Sequence, residues 1–103
     1  MKKNPAIKVL AEEKVILQLY VAGMSAKSML AIENIKQLCD EHLHEAFELE
    51  IIDLYKHPEI AQEKQIVFSP SLVKQLPLPK KTIVGNFTDS EKVIRGLGIT
   101  FKE

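Results

Sequence analysis

Cysteine is nearly missing from this sequence: Cys39 stands alone among 103 residues. That excludes an intrachain disulfide framework and any multi-cysteine metal site within one chain. Arginine is as scarce. Arg95 is the one arginine among 14 basic residues, and 14 acidic residues balance the formal charge to zero. A broad grip on nucleic acid needs an excess of Lys and Arg, and base or phosphate reading favours the bidentate guanidinium, so no nucleic-acid partner is expected. Long apolar runs are absent too. None approaches the ~18 residues of a membrane span. The opening Met1-Lys2-Lys3-Asn4-Pro5 leads into Ala6–Ala11, which Lys8 interrupts and which is too short for a signal-peptide core. No repeat, low-complexity tract or linker divides the chain. A cytoplasmic protein with no membrane contact is therefore expected, with a leader over residues 1–13 and one domain over 14–103, long enough to fold around its own core.

What is present is a pattern of alternating elements. Val15-Ile16-Leu17-Gln18-Leu19-Tyr20-Val21 is almost continuously apolar and β-branched, the signature of a strand buried on both faces. Gly23 ends it, and Ser25 or Ser28 can cap a following helix. Ala31/Ile32, Ile35, Leu38/Cys39 and Leu43 recur three to four apart as a helical stripe. Phe47-Glu48-Leu49-Glu50-Ile51 alternates strictly and reads as a second strand near an edge, with its glutamates on one wet face. Strand, helix, strand at this spacing is a βαβ unit with parallel strands.

In the second half, His57-Pro58 opens a helix expected to run to about Ile66. Ser69-Pro70 turns into a short strand over Ser71-Leu72-Val73. Leu76-Pro77-Leu78-Pro79 is a proline-punctuated turn, and Lys81–Gly85 is another short strand. Thr88 and Glu91 have capping-box spacing, which predicts Thr88 as the cap of a helix over 89–97 ending at Gly96 or Gly98. The order is βαβαββα, an α/β fold of thioredoxin-like type. Its last helix is shorter than the ~12–15 residues needed for independent helicity. Its tail Gly98-Ile99-Thr100-Phe101 has strand character, so the segment is either a short helix with a frayed end or one that adopts two structures.

Thioredoxin-type chemistry needs Cys-x-x-Cys at the start of the first helix, where the helix end lowers the nucleophile's pKa. Met24-Ser25-Ala26-Lys27 stands there, so no disulfide-oxidoreductase activity is expected. Cys39, on the apolar stripe, reads as a small buried hydrophobe. Cys39 and His42 are one turn apart and could share a face with a metal, but His44 is out of register. A histidine near the last carbonyls of the helix is the simpler reading, and neither metal nor cofactor is expected. His57, before Pro58, reads as a solvated loop residue. Ser69-Pro70 occupies the place where thioredoxin-like folds carry a cis-proline.

The string Leu19-Tyr20-Val21-Ala22-Gly23, Asp53-Leu54 with Pro58, Ile60 and Ala61 behind it, Ser69-Pro70-Ser71-Leu72, Leu76-Pro77-x-Pro79 and Ile83-Val84-Gly85 resembles the KaiB family, in order and over residues 14–98. KaiB is the small clock protein of cyanobacteria, with relatives in many other bacteria. The resemblance implies a non-enzymatic protein that works beside KaiC, a ring-shaped ATPase. In cyanobacteria the family also captures KaiA and displaces an output kinase. It further implies a change of fold in the second half. A resting homo-oligomer, typically a tetramer, has the order βαββααβ, and a rarer monomer has the thioredoxin-like order and binds KaiC. Residues placed by this resemblance at the switch or its frame are Pro70, Pro77, Pro79, Gly85, Asn86, Thr88 and Glu91. By the same analogy, Gly85→Ala is expected to favour the thioredoxin-like monomer. The partner contact falls on the second strand and the helix after it, at Glu48, Glu50, Lys64 and Gln65. Several charges differ from the cyanobacterial pattern: Leu30 replaces a basic residue, Glu50 a lysine, Lys64-Gln65 an acidic-then-basic pair, and Asn86 an aspartate. The competing reading is a thioredoxin-like adaptor in stress adaptation, with neither clock function nor KaiC binding.

Overall fold

The computed structural model describes residues 14–44, 46–66, 69–85 and 87–98. The predicted leader, the tail from Ile99 and Asn86 lie outside the described residues. The elements are β1 (Val15–Val21), α1 (Ala26–His42), β2 (Phe47–Asp53), α2 (Pro58–Glu63), β3 (Ser71–Leu76), β4 (Lys81–Val84) and α3 (Ser90–Leu97), which is the βαβαββα order. The sheet order is β2-β1-β3-β4. β1 pairs with β2 in parallel, from Val15–Phe47 to Val21–Asp53. On its other side it takes β3 antiparallel, with an irregularity between Ile16 and Leu17. β4 pairs antiparallel with β3 from Ser71–Val84 to Lys74–Lys81.

Period-two alternation divides the sheet into two unlike faces. One face is covered by α1 and α3. Val15, Leu17, Leu19 and Val21 of β1 join Ala31, Ile35, Leu38 and Cys39 of α1, Leu72 of β3, and Val93 and Leu97 of α3 in one core. Leu17, Leu19, Ile35 and Leu38 are each at most 1% exposed, so truncating any of them to alanine costs about 2–5 kcal/mol. β2 contributes Phe47, Leu49 and Ile51 to the edge of this core, and its Glu48 and Glu50 point the other way. The expected edge placement of β2 is observed.

Three boundaries differ from the sequence expectation. α2 stops at Glu63 rather than near Ile66, because Gln65 takes φ 56° and the N–H of Ile66 turns back to the Ala61 carbonyl at 2.9 Å. β3 runs on through Lys74 and Gln75 to Leu76, since β1 supplies partners along that length. α3 is capped by Asp89, not Thr88: the Asp89 carboxylate accepts the Lys92 N–H at 3.2 Å. The spacing Thr-x-x-Glu is present, but helical geometry begins one residue later, at Ser90. Glu91 is left in the first turn, 3.9 Å from Arg95 on the exposed side. At the other end Gly98 takes φ 70° and Gly96 stays inside the helix.

Candidate functional site

Two turns meet at the C-terminal end of β1. Gly23, at φ 74°, follows β1, and the Tyr55 ring lies where a Cβ on residue 23 would come within 2.8 Å of it. Asp53 joins the turns, accepting the N–H of Gly23 at 2.8 Å and of Tyr55 at 2.9 Å through one oxygen. These two bonds hold its carboxyl below the ordinary carboxylate range. Ser25 caps α1, accepting the Ser28 N–H at 3.2 Å. Met24 and Lys27, at the places a dithiol would need, are exposed, and Met29 and Leu30 beside them are half-exposed. Ser69–Pro70 is cis, as the fold order predicts, and so are Leu76–Pro77 and Leu78–Pro79.

Thiol chemistry has no foothold at this end. Cys39 lies late in α1 and is wholly buried. Burial, then the Asp40 charge, pushes its thiol up to about 12, the reverse of an activated nucleophile. Among the described residues no group of three metal-ligating side chains converges. His42 is in the last turn of α1.

The open face of the sheet carries the polar chemistry. Gln18, on β1, is its hub. Its carbonyl oxygen accepts the Tyr20 hydroxyl at 2.9 Å and the Gln75 amide at 2.8 Å, while its own amide donates to Glu50 at 3.2 Å. A hydrogen-bonded row thus crosses β3, β1 and β2. Tyr20 is only 1% exposed, and burial, then the Glu50 charge, raises its pKa. Glu48, two residues along β2 on the same face, pairs with Lys14 at 3.5 Å across exposed surface, a contact worth little by itself. Beside the row lies a cleft of about 270 Å³ lined by Tyr20, Val73, Gln75 and Thr82, with Lys64 and Gln65 from the end of α2 at its margin.

All four residues assigned to partner contact by resemblance therefore share one face. Glu48 and Glu50 stand on its β2 side, and Lys64 and Gln65 across Tyr20 from them. The residues assigned to the switch do not gather at one place. Pro70 is buried at the start of β3, Pro77 and Pro79 lie between β3 and β4, and Thr88 and Glu91 flank the start of α3. Gly85 follows β4 at φ 145°, its N–H donating to the Pro70 carbonyl at 3.2 Å. Gln18, Tyr20 and Gln75 escaped the sequence reading. Gln18 and Tyr20 sit inside an apolar strand, and nothing local in sequence announces that Gln75 will lie beside them.

This is a thioredoxin-like fold with a buried thiol and a polar row across the other face of its sheet. The fold is shared with the N-terminal domain of SasA from Synechococcus elongatus, at a TM-score of 0.69, 20% identity and coverage of 95% of this chain and 92% of that one. Chloroplastic thioredoxin z also shares it, at a TM-score of 0.67 and 15% identity over 89% and 82%. The family is settled by sequence. The KaiB domain model matches residues 18–99. The circadian clock protein KaiB3 of Synechocystis is 42% identical over 86 residues, 84% of each chain. The circadian clock oscillator protein KaiB of Synechococcus elongatus is 39% identical over 88 residues, 85% of this chain and 86% of its own. The chain belongs to the KaiB family.

Proposed function

We propose that the chain is a cytoplasmic, non-catalytic regulatory protein of the clock or state-timing kind. It docks on a KaiC-type ATPase through the open face of its thioredoxin-like form. The observation that carries this reading is that Glu48 and Glu50, on the edge strand β2, share one side of the sheet with Lys64 and Gln65, which line the cleft beside Tyr20. Charges on such a face select the partner, since like-charge contacts across an interface cost several kcal/mol. Because Glu50 and Lys64 differ from the cyanobacterial charges, the partner in this reading is the host's own ring rather than a cyanobacterial one. The same reading includes a second arrangement of the residues after about position 55, populated in a resting homo-oligomer.

The test is capture of the host's KaiC-type ATPase by the full chain, with and without ATP. Wild type should bind. Glu50→Lys and Lys64→Glu should each weaken binding, most strongly at low salt, where surface charges are least screened. Failure of wild type to bind in either nucleotide condition rejects the reading in favour of a free-standing adaptor. Unchanged binding by both variants moves the contact to another face.

A further inference from the structure

β3 carries a lysine where its pattern calls for an aliphatic residue. Leu72 and Lys74 are two apart, so both point to the helix-covered face, and both are fully buried. β1 sets Leu17 opposite Lys74, and β4 sets Lys81 opposite it on the other side. The C-terminal end of α3 lies beside the amine: a Cβ on its cap Gly98 would lie 3.8 Å from Nζ. The charged side chains of α3, Glu91, Lys92 and Arg95, are exposed. Among the described residues, Nζ has no hydrogen-bond partner and no carboxylate pairs with it. The charge that faces it is Lys81, of the same sign.

A protonated lysine here would have surrendered its water for nothing in return. The last carbonyls of α3 favour a cation, but that attraction is weaker than the loss of hydration. Burial, with Lys81 adding to it, accordingly lowers the Lys74 pKa below 10.5.

We propose that Lys74 makes the packing of α3 on β3 and β4 proton-sensitive: a proton is taken up only at the expense of that packing, so this arrangement tightens as pH rises. An amine whose folded pKa lies below its unfolded one leaves the unfolded chain holding more protons. Folding therefore strengthens with pH between the two values, at most about tenfold in the folding constant per pH unit. Cys39 and Tyr20 act with the opposite sign, because their folded pKa values are raised. The informative quantity is therefore a ratio between variants that keep both.

Urea unfolding of the full chain from about pH 7 to about pH 10, below the ordinary lysine range, supplies it. The ratio of the wild-type folding constant to that of Lys74→Met should climb with pH. In Lys81→Met the same climb should begin at higher pH. A ratio that stays flat overturns the proposal. Should Lys74→Met not unfold cooperatively, the Lys74 Cε resonance of wild type decides. A titration midpoint below those of the exposed lysines upholds the proposal, and one that coincides with them overturns it.

Discussion

One carboxylate oxygen of Asp53 accepts the backbone N–H of Gly23, 30 residues earlier, at 2.8 Å. The bond fastens the turn after β1 to the turn after β2, and the Tyr55 N–H shares the same oxygen. Asn retains an oxygen acceptor and Ala does not, so Asp53→Ala should melt below Asp53→Asn, and both below wild type. Because these bonds lower the Asp53 pKa, their contribution is whole above the ordinary carboxylate value of 3.8. It fades as pH falls through the lower folded value. In thermal melts from neutral pH into acid, wild type should therefore fall towards Asp53→Asn, while Asp53→Ala stays below both. Parallel curves would show that the carboxylate charge plays no part.

The row through Gln18 predicts coupled energetics. Gln18→Leu strips the buried Tyr20 hydroxyl of its acceptor, at a cost of about 1–3 kcal/mol. Tyr20→Phe loses one neutral bond, about 1 kcal/mol. In the double variant no hydroxyl is left stranded, so denaturant unfolding should show less than the sum, with a coupling of at least about 0.5 kcal/mol. Strict additivity would mean that the hydroxyl is not held by Gln18 in solution.

Cys39 should behave as core. Its thiol should react with an aromatic disulfide reagent in urea and hardly at all in native buffer. The reduction of insulin by the protein should stay at background. A folded thiol at about 12 against an ordinary 9.0 gives stability that is whole below about pH 9 and lost as pH rises towards 12. Cys39→Ala should flatten that alkaline decline.

Gly85 bears on the proposed second arrangement. Family analogy has Gly85→Ala favouring the thioredoxin-like form, yet that form itself holds Gly85 at φ 145°. Among the described residues other than its chain neighbours, no atom lies closer than 4.0 Å to a Cβ there, so the penalty is conformational rather than steric, about 1–3 kcal/mol. The substitution should therefore deplete the thioredoxin-like form. Amide NMR should show its peaks from about residue 55 onward weakening, with those of β1, α1 and β2 in place. Strengthening of those peaks would mean that the other arrangement strains residue 85 more.

What was legible in the sequence followed from local periodicity. The stripe of α1 and the alternation of β2 announce themselves because one face of each is apolar. Asp89 against Thr88 was a choice between adjacent good caps, and only where helical dihedrals begin decides it. Lys74 hid the length of β3 because a lysine reads as solvent-facing until its cross-strand neighbours are known. The row from Glu50 to Gln75 depended on an antiparallel register between residues 57 apart in sequence, which no window of residues contains. The placement of Lys64 across Tyr20 from Glu50 is equally non-local, set by where the end of α2 lies against the sheet.

β1 is paired on both sides, but its two partners arrive at different times. β2 is made 32 residues after β1, and β3 only after α2 has also been synthesised. Closing the longer loop carries the larger entropy cost. On the ribosome, one edge of β1 is therefore satisfied while the other waits for Ser71–Leu76, and the core beneath it stays open on the α3 side. Nascent chains stalled at successive lengths should pull twice on an arrest peptide, weakly once Asp53 has cleared the exit tunnel and more strongly after Leu97. A single late pull would mean that β1 and β2 do not hold together until β3 seals the seam between the two halves.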